Sequence, residues 1–270
     1  MIIMKAKTFI MYLAIILSFV ISLILIAHFA NDALFNHNDY IDNHSKLTKD
    51  GIEYSEDGYI LNYNGDSKEF VIPVQIKNVK IKKIGSSFLH KKSIDRLEMP
   101  STIEYIAENT FKYTEIKNFY YTGTIEDWCN IEKTYYDIKI KNLYLLNGNK
   151  YELFTKVVAS NSINYKYAFR FIHSIREVIF EEGIKTIDKS SFEGCVNLEK
   201  VVIPNTVTKF TSSFRGCDAL LELTIPSSVV EIDNIFCPNL KRVYLPSHLK
   251  EFEDEFKNDG NCEIEFIYYD

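Results

Sequence analysis

A repeat of 22 residues shapes the second half of the chain. Three pairs of like residues measure the period, each pair 22 residues apart: Cys195 and Cys217, Leu198 and Leu220, Pro204 and Pro226. Copies of the pattern also occur after and before these pairs, and we count about seven or eight units. Each unit of such a repeat buries its apolar face against the next unit, so the period predicts a solenoid without a single central core.

The repeat unit reads F-x-G-C-x-x-L-x-x-V-x-I-P-x-x-V-x-x-I. Nine residues carry it in the best copy: Phe192, Gly194, Cys195, Leu198, Val201, Ile203, Pro204, Val207 and Phe210. The unit resembles the BspA-like leucine-rich repeats of bacterial and protist surface proteins, and the resemblance runs roughly from Phe70 to Leu249. It implies short parallel β-strands on one face of a solenoid, with turns or short helices opposite, and a binding role at a cell surface.

Two residues of each L-x-x-V-x-I segment point outward, because side chains alternate along a strand. The first outward column contains Arg96, Asn118, Glu177, Lys200, Glu222 and Arg242, and the second contains Glu98, Tyr120, Ile179, Val202, Thr224 and Tyr244. The signs of charge alternate from Glu177 to Arg242. This alternation predicts an exposed ladder of ion pairs, each of modest energy. The inward positions, such as Ile203 and Ile225, are expected to be buried.

An uncharged apolar stretch occupies residues 9–30, after Lys5 and Lys7. About 20 apolar residues span a bilayer, whereas a secretory signal core has about 7 to 15. The length therefore favours an uncleaved signal anchor at 1–31, and a long cleaved signal peptide is the alternative. The lysines predict that the rest of the chain is extracytoplasmic, and residues 32–50 read as a polar linker.

The repeat domain is predicted to span 51–270, with a capping strand at each end. An AspGly turn between two alternating runs predicts a β-hairpin at 51–63, which would cover the first repeat. The alternating run at 263–269 predicts a terminal strand.

The row of repeat units, here called the ladder, is predicted to be interrupted by an insertion at 123–156. A capping box at Thr124 to Asp127 predicts a helix that carries Trp128, which we interpret as a structural residue. AsnGly at 147–148 predicts a second hairpin.

Composition and motifs exclude several classes of function. The net charge is −6, with basic and acidic residues interleaved, which disfavours nucleic acid as a partner. Three of the five cysteines share one repeat column, which predicts buried free thiols in place of disulfides or a metal site. No hydrolase, metalloprotease, P-loop or dinucleotide motif occurs. We therefore expect neither an enzyme nor a cofactor.

Three classes of function remain open. A surface binding module for a protein or glycan ligand is favoured, a structural spacer without a dedicated ligand is the alternative, and an enzyme of unrecognised type is the third. The candidate partner-binding residues are Arg96, Tyr120, Tyr136, Arg242 and Tyr244. We expect a partner to contact the strand face near Tyr120 together with the adjoining insertion, whose tyrosines include Tyr135, Tyr136, Tyr144 and Tyr151.

Overall fold

A computed structural model describes residues 45–86, 88–133, 138–161, 163, 165–187, 190–256 and 263–270. Residues Leu47–Asp270 form a compact unit. The predicted membrane segment at 9–30 and most of the linker at 32–50 lie outside the described ranges. Within those ranges, no helix combines the length and the apolar character that a bilayer crossing requires.

The described chain is built from short strands of two to nine residues. The first ten are β1 (Lys46–Leu47), β2 (Ile52–Tyr54), β3 (Tyr59–Tyr63), β4 (Glu69–Val71), β5 (Gln75–Ile76), β6 (Val79–Lys80), β7 (Lys83–Ile84), β8 (Ser93–Met99), β9 (Tyr105–Ile106) and β10 (Glu115–Tyr121). Next come helix α1 (Ile125–Asn130), β11 (Glu132–Lys133), β12 (Lys139–Asn147), β13 (Lys150–Leu153), β14 (Lys156–Ala159), β15 (Glu177–Phe180) and β16 (Thr186–Ile187). The chain closes with β17 (Lys200–Val202), β18 (Lys209–Thr211), β19 (Glu222–Thr224), β20 (Glu231–Asp233), β21 (Arg242–Pro246), a 3₁₀ helix (Ser247–Phe256) and β22 (Glu265–Tyr269).

The L-x-x-V-x-I segments form a row of parallel strands, here called the front face. Strands β4, β8, β10 and β12 lie side by side in one sheet, and β14, β15 and β17 form a second. Strands β19, β21 and β22 form a third parallel sheet. The register places like positions of successive units opposite one another, such as Ile116 beside Ile94 and Phe119 beside Leu97. All four of these side chains are buried, which confirms the stacked-solenoid prediction.

The structure corrects the predicted interruption of the ladder at 123–156. Strand β12 lies inside this segment, and it pairs in parallel with β10 in the repeat register. Ile140 and Leu143 take the inner positions and are buried. This unit could not be recognised in the sequence because it lacks the GlyCys and proline residues of the repeat. The spacing of its inward aliphatic residues is sufficient for pairing and burial. The hairpin that follows departs from the ladder, because β13 pairs antiparallel with β12.

The side opposite the front face also differs from the prediction of turns or short helices. It carries a second row of very short parallel strands, in the orders β3-β7-β9-β11 and β16-β18-β20. β-Branched residues recur at one place in successive units, as at Ile84, Ile106 and Ile187, and each is buried. Such residues favour extended backbone, and neighbouring units satisfy its hydrogen bonds.

The two predicted hairpins and the predicted helix are confirmed. β2 and β3 pair antiparallel, and β3 then pairs in parallel with β7. At α1, the Thr124 hydroxyl accepts from the Asp127 N–H at 3.1 Å while the Asp127 carboxylate accepts from the Thr124 N–H at 2.8 Å. Trp128 is buried, and its Nε1–H donates to the Ala168 carbonyl at 2.7 Å. The tryptophan therefore ties the helix to the second half of the array.

A column of phenylalanine rings runs through the middle of the solenoid. The column consists, in order, of Phe154, Phe169, Phe192 and Phe214. The centroids of neighbouring rings are 6.0, 5.3 and 5.8 Å apart, and the planes of neighbouring rings lie within 28° of parallel. Two residues after Phe169, Phe192 and Phe214, the backbone adopts the left-handed conformation. This position is glycine at Gly194 and Gly216, both with φ of +71°, which explains the glycine of the repeat unit.

The cysteine column is buried, as predicted, and each thiol is free. Each Sγ–H donates to a backbone carbonyl of the preceding unit, at 3.2 Å from Cys195 to Phe169, 3.3 Å from Cys217 to Phe192 and 3.2 Å from Cys237 to Phe214. Burial raises the pKa of Cys237 to about 12 and also raises the pKa values of the other two. The column therefore has a packing role, because a buried thiol of raised pKa supplies almost no reactive thiolate.

Thiol labelling tests this assignment. We expect iodoacetamide to modify the three column cysteines slowly in the folded protein, with the rate rising by orders of magnitude on denaturation, because the thiolate is the nucleophile. Peptide mapping by mass spectrometry separates these sites from half-buried Cys129. Rapid native labelling of Cys195 or Cys217 would contradict the burial.

One inward position departs from expectation. Ile225 is fully buried, but Ile203, at the same place in the preceding unit, is only partly buried against the core. Nothing in the structure explains this difference.

Candidate partner-binding surface

The outward side of the front face carries an aromatic cluster where β8, β10, β12 and β13 meet. The register places Tyr120 directly between Glu98 of β8 and Tyr144 of β12. The rings of Tyr120 and Tyr144 stack with centroids 4.7 Å apart and an angle of 9° between their planes. Tyr151 of β13 meets Tyr120 edge-on, with centroids 4.9 Å apart. Aromatic pairs in such arrangements hold one another in place.

Two exposed leucines extend the cluster onto the hairpin of β12 and β13. Residues opposite each other in an antiparallel pair point to the same face, and Leu153 lies opposite Tyr144 while Leu146 lies opposite Tyr151. Leu146 is 38% exposed and Leu153 is 45% exposed. We call Tyr120, Tyr144, Leu146, Tyr151 and Leu153 together the tyrosine patch.

Both faces of the Tyr120 ring are already occupied. The Arg96 guanidinium lies over the ring, with Cζ 3.7 Å from the centroid, and Tyr144 stacks on the ring. Since β8 and β12 flank β10 on opposite sides, these two groups cover opposite faces. Tyr120 therefore offers a partner its edge and its hydroxyl, and neither ring face.

The polar groups beside the patch hold it in one arrangement. Arg96 Nη2 donates to Glu98 Oε2 at 2.8 Å, so the guanidinium bridges the Tyr120 ring and a carboxylate. The pKa of Tyr151 is raised, first by burial and then by the Glu98 carboxylate, which accepts a hydrogen bond from it. Along the other outward column, Asn142 Nδ2 donates to Asn118 Oδ1 at 3.0 Å.

The predicted charge ladder is confirmed on the second and third front sheets, and it extends further than predicted. Glu177 receives Lys200 at 2.8 Å and Lys156 at 3.0 Å. Hydrogen bonds from these lysines lower the Glu177 pKa. Arg242 bridges Glu222 at 2.6 Å and Glu265 at 3.0 Å. These charges neutralise one another along the first outward column.

The structure brings together some of the predicted site residues and separates others. Arg96 and Tyr120 meet in the cluster described above. Arg242 and Tyr244 lie together on β21 in a different sheet, where hydrogen bonds to Glu265 and then to Tyr244 raise the Arg242 pKa. Tyr136 lies outside the described residues. Sequence reasoning missed Leu146 and Leu153, although the alternation of β12 and β13 about the AsnGly turn could have placed them beside Tyr144 and Tyr151.

A cleft of about 290 Å³ opens beside β16, lined by Tyr165, Phe180, Lys185 and several serine and aliphatic side chains. Among the described residues that line it, none is a carboxylate that could form an acid–base pair. Among the described residues, no group of three or more His, Cys, Asp or Glu side chains is placed to hold a metal ion.

The pattern of the BspA type leucine rich repeat region matches residues 67–131 and 149–263 in 6 copies, which is more than half of the chain. The chain belongs to the BspA-type leucine-rich-repeat family. The match to this BspA-type pattern skips 132–148, where β12 continues the ladder without the signature residues.

Solved bacterial leucine-rich-repeat proteins are similar to this BspA-type chain at low identity. A leucine rich cell surface protein from Faecalibacterium prausnitzii is 18% identical, with a TM-score of 0.41 over 74% of this chain and 52% of its own. A leucine-rich repeat protein from Bacteroides ovatus is 14% identical, with a TM-score of 0.30 over 84% of this chain and 98% of its own. The pneumococcal vaccine antigen PcpA is 14% identical, with a TM-score of 0.28 over 74% and 81%. The chain thus spans about half of the Faecalibacterium protein, and no curated protein matches it.

Proposed function

We propose that this BspA-type chain is an extracytoplasmic binding module, adhesin-like in role, that holds a protein partner on the tyrosine patch. The observation that carries the proposal is the patch itself. Three tyrosines, two of which pack their rings against the third, lie on one face of the sheet together with two exposed leucines. Contiguous apolar surface rimmed by polar groups is typical of interaction sites, and aromatic anchors dominate the energy of interfaces.

The packing of Tyr120 favours a protein over a glycan. A sugar ring binds an aromatic side chain by stacking on its open face, and both faces of Tyr120 are covered by Arg96 and Tyr144. Ring edges, hydroxyls and leucine side chains suit a protein surface that presents apolar groups and hydrogen-bond acceptors. Because the rings are already immobilised, little side-chain entropy is lost on binding.

A pair of matched substitutions tests the patch. Leu153→Asp places a charge within it, and Val230→Asp makes the same kind of change at a 67% exposed position outside it. For a partner recovered from cell surfaces with the full chain, we expect Leu153→Asp to weaken affinity at least about tenfold, or about 1.4 kcal/mol, and Val230→Asp to leave it unchanged. Equal affinity of both variants, with equal thermal stability, contradicts the proposal.

The two ends of the front face should contribute unequally. We expect Tyr120→Ala to cost more than about 1 kcal/mol of binding energy and Tyr244→Ala to cost less, because Tyr244 lies on a different sheet beside the neutralised Arg242. Isothermal titration calorimetry with the recovered partner measures both losses. Equal losses at the two positions would point to the whole front face as the interface.

We further propose that residues 9–30 anchor the chain by a single membrane span, with the repeats outside, since the length and flanking lysines of that stretch support it. Mass spectrometry of the mature amino terminus and protease shaving of intact cells test the two parts. A terminus near Asn31, or repeats protected from protease, overturns this arrangement.

A structural spacer is the second candidate, favoured by the charge ladder. Its pairs from Lys156 to Lys200 and from Glu222 to Glu265 stiffen the front face and neutralise the charges that they join. A spacer requires no partner, so both aspartate variants would then behave as wild type.

A further inference from the structure

We propose that β13 pairs with β13 of a second copy of this chain, so that two tyrosine patches join across a two-fold axis. The occupant of this strand edge is thus the chain itself. The inference goes beyond the proposed function and does not depend on it.

The outer edge of β13 has no backbone pairing among the described residues. In the part of the chain that the structure describes, β13 is the last strand of its sheet and pairs only with β12. Lys150, Glu152 and Leu153 are exposed. Edge strands present a row of unpaired backbone groups, which makes them templates for pairing with another chain.

The hairpin turn determines which backbone groups face outward. The register pairs Asn147 with Lys150 across a two-residue turn, whose first residue, Gly148, has φ of +59° as a type II′ turn requires. In such a hairpin the closing pair exchanges backbone hydrogen bonds. The N–H and C=O groups of Tyr151 and Leu153 therefore point away from β12, toward an incoming strand.

Charge selects one register among the two-fold arrangements centred on Lys150, Tyr151 or Glu152. A pair centred on Lys150 places lysine opposite lysine, and a pair centred on Glu152 places glutamate opposite glutamate. A pair centred on Tyr151 places Lys150 of each copy opposite Glu152 of the other, twice. Like charges directly opposite each other destabilise a sheet, whereas opposite charges stabilise it.

The same register suits the backbone. With Tyr151 opposite Tyr151, the two outward-facing residues exchange both of their hydrogen bonds. The Lys150 and Glu152 pairs then occupy the non-hydrogen-bonded positions, where side chains approach most closely. Glu152 Oε2 accepts from Asn147 Nδ2 at 3.1 Å within the copy, which leaves Oε1 for the lysine. Both tyrosine patches lie on the same face of the joined sheet.

Charge reversal with rescue tests the register. In analytical ultracentrifugation of the full chain in detergent micelles, we expect a concentration-dependent dimer that Lys150→Glu or Glu152→Lys weakens at least tenfold. The double variant Lys150→Glu/Glu152→Lys restores the pairs with their signs exchanged, and we expect its dimerisation within threefold of wild type. The apolar segment at 9–30 is identical in all four proteins, so any association through it is a constant background.

Disulfide trapping tests the axis. In a Cys129→Ser/Cys262→Ser background, we expect Tyr151→Cys to form a covalent dimer under mild oxidation, because the Cα atoms of a hydrogen-bonded antiparallel pair fall within disulfide reach. Val230→Cys, at an exposed position elsewhere, should not. Three results would overturn the proposal. They are a monomer at all concentrations, a dimer that neither single reversal weakens, and a double variant in which dimerisation is not restored. Partner binding would be unaffected by that failure, since Lys150 and Glu152 point away from the patch.

Discussion

Replacing Phe192 with alanine is expected to lower the free energy of unfolding by about 3 to 5 kcal/mol, the loss typical of a buried phenylalanine. Phe192 is fully buried and stands in the middle of the phenylalanine column, stacked on Phe169 at 5.3 Å and on Phe214 at 5.8 Å. Its removal leaves a cavity between two units, and in a repeat array each unit depends on its neighbours for burial. Urea unfolding followed by circular dichroism measures the loss.

Tyr113→Ala is the control for this substitution. Tyr113 is 70% exposed, so losing its ring should change the stability by less than about 1 kcal/mol. A cost at Phe192 as small as that at Tyr113 would mean that the column does not hold the units together.

Gly194→Ala is expected to destabilise the protein more than the same change at Gly216. Both glycines have φ of +71°, so each substitution forces alanine into the left-handed region at a cost of about 1 to 2 kcal/mol. At Gly194 a new Cβ would also lie 2.1 Å from Cδ1 of Phe171, whereas at Gly216 its closest neighbour is 3.7 Å away. Displacing the ring should add about 1 to 3 kcal/mol at Gly194 alone.

The difference between the two alanine variants isolates the steric contact, because the backbone cost is common to both. Chemical denaturation of the two proteins side by side measures it. Equal losses would mean that the Phe171 ring does not cover Gly194.

Phe171 and Tyr113 occupy the glycine position of their own units, with φ of 58° and 60°. These units lack the glycine of the repeat unit, yet their backbone adopts the same left-handed conformation at that position. The geometry of the array therefore outweighs the local preference of the side chain. The units that contain Phe171 and Tyr113 could still be predicted from their inward aliphatic and aromatic spacing, whereas the unit of β12 could be found only by its pairing.

The front face was predictable because side chains alternate along a strand. That rule sufficed to place Glu177 beside Lys200, Arg242 beside Glu222, and Arg96 and Tyr120 on one face. The rest of the patch depends on β12, whose register follows from the inward spacing of Ile140 and Leu143 and from no signature residue. The opposite row of strands was missed because, apart from β3, each strand has only two or three residues, too few for any periodic pattern.

Strand β12 brings Tyr144 against Tyr120 and carries the hairpin with the two leucines. Its register can be measured by an engineered disulfide between Asn118 and Asn142, which are direct partners in the sheet and whose side chains are hydrogen-bonded at 3.0 Å. In a Cys129→Ser/Cys262→Ser background, Asn118→Cys/Asn142→Cys should form an intramolecular disulfide within minutes of mild oxidation. Asn118→Cys/Lys141→Cys, shifted by one residue to the opposite face, should stay reduced. A disulfide in the shifted pair, or in neither pair, would contradict the ladder and the patch built on it.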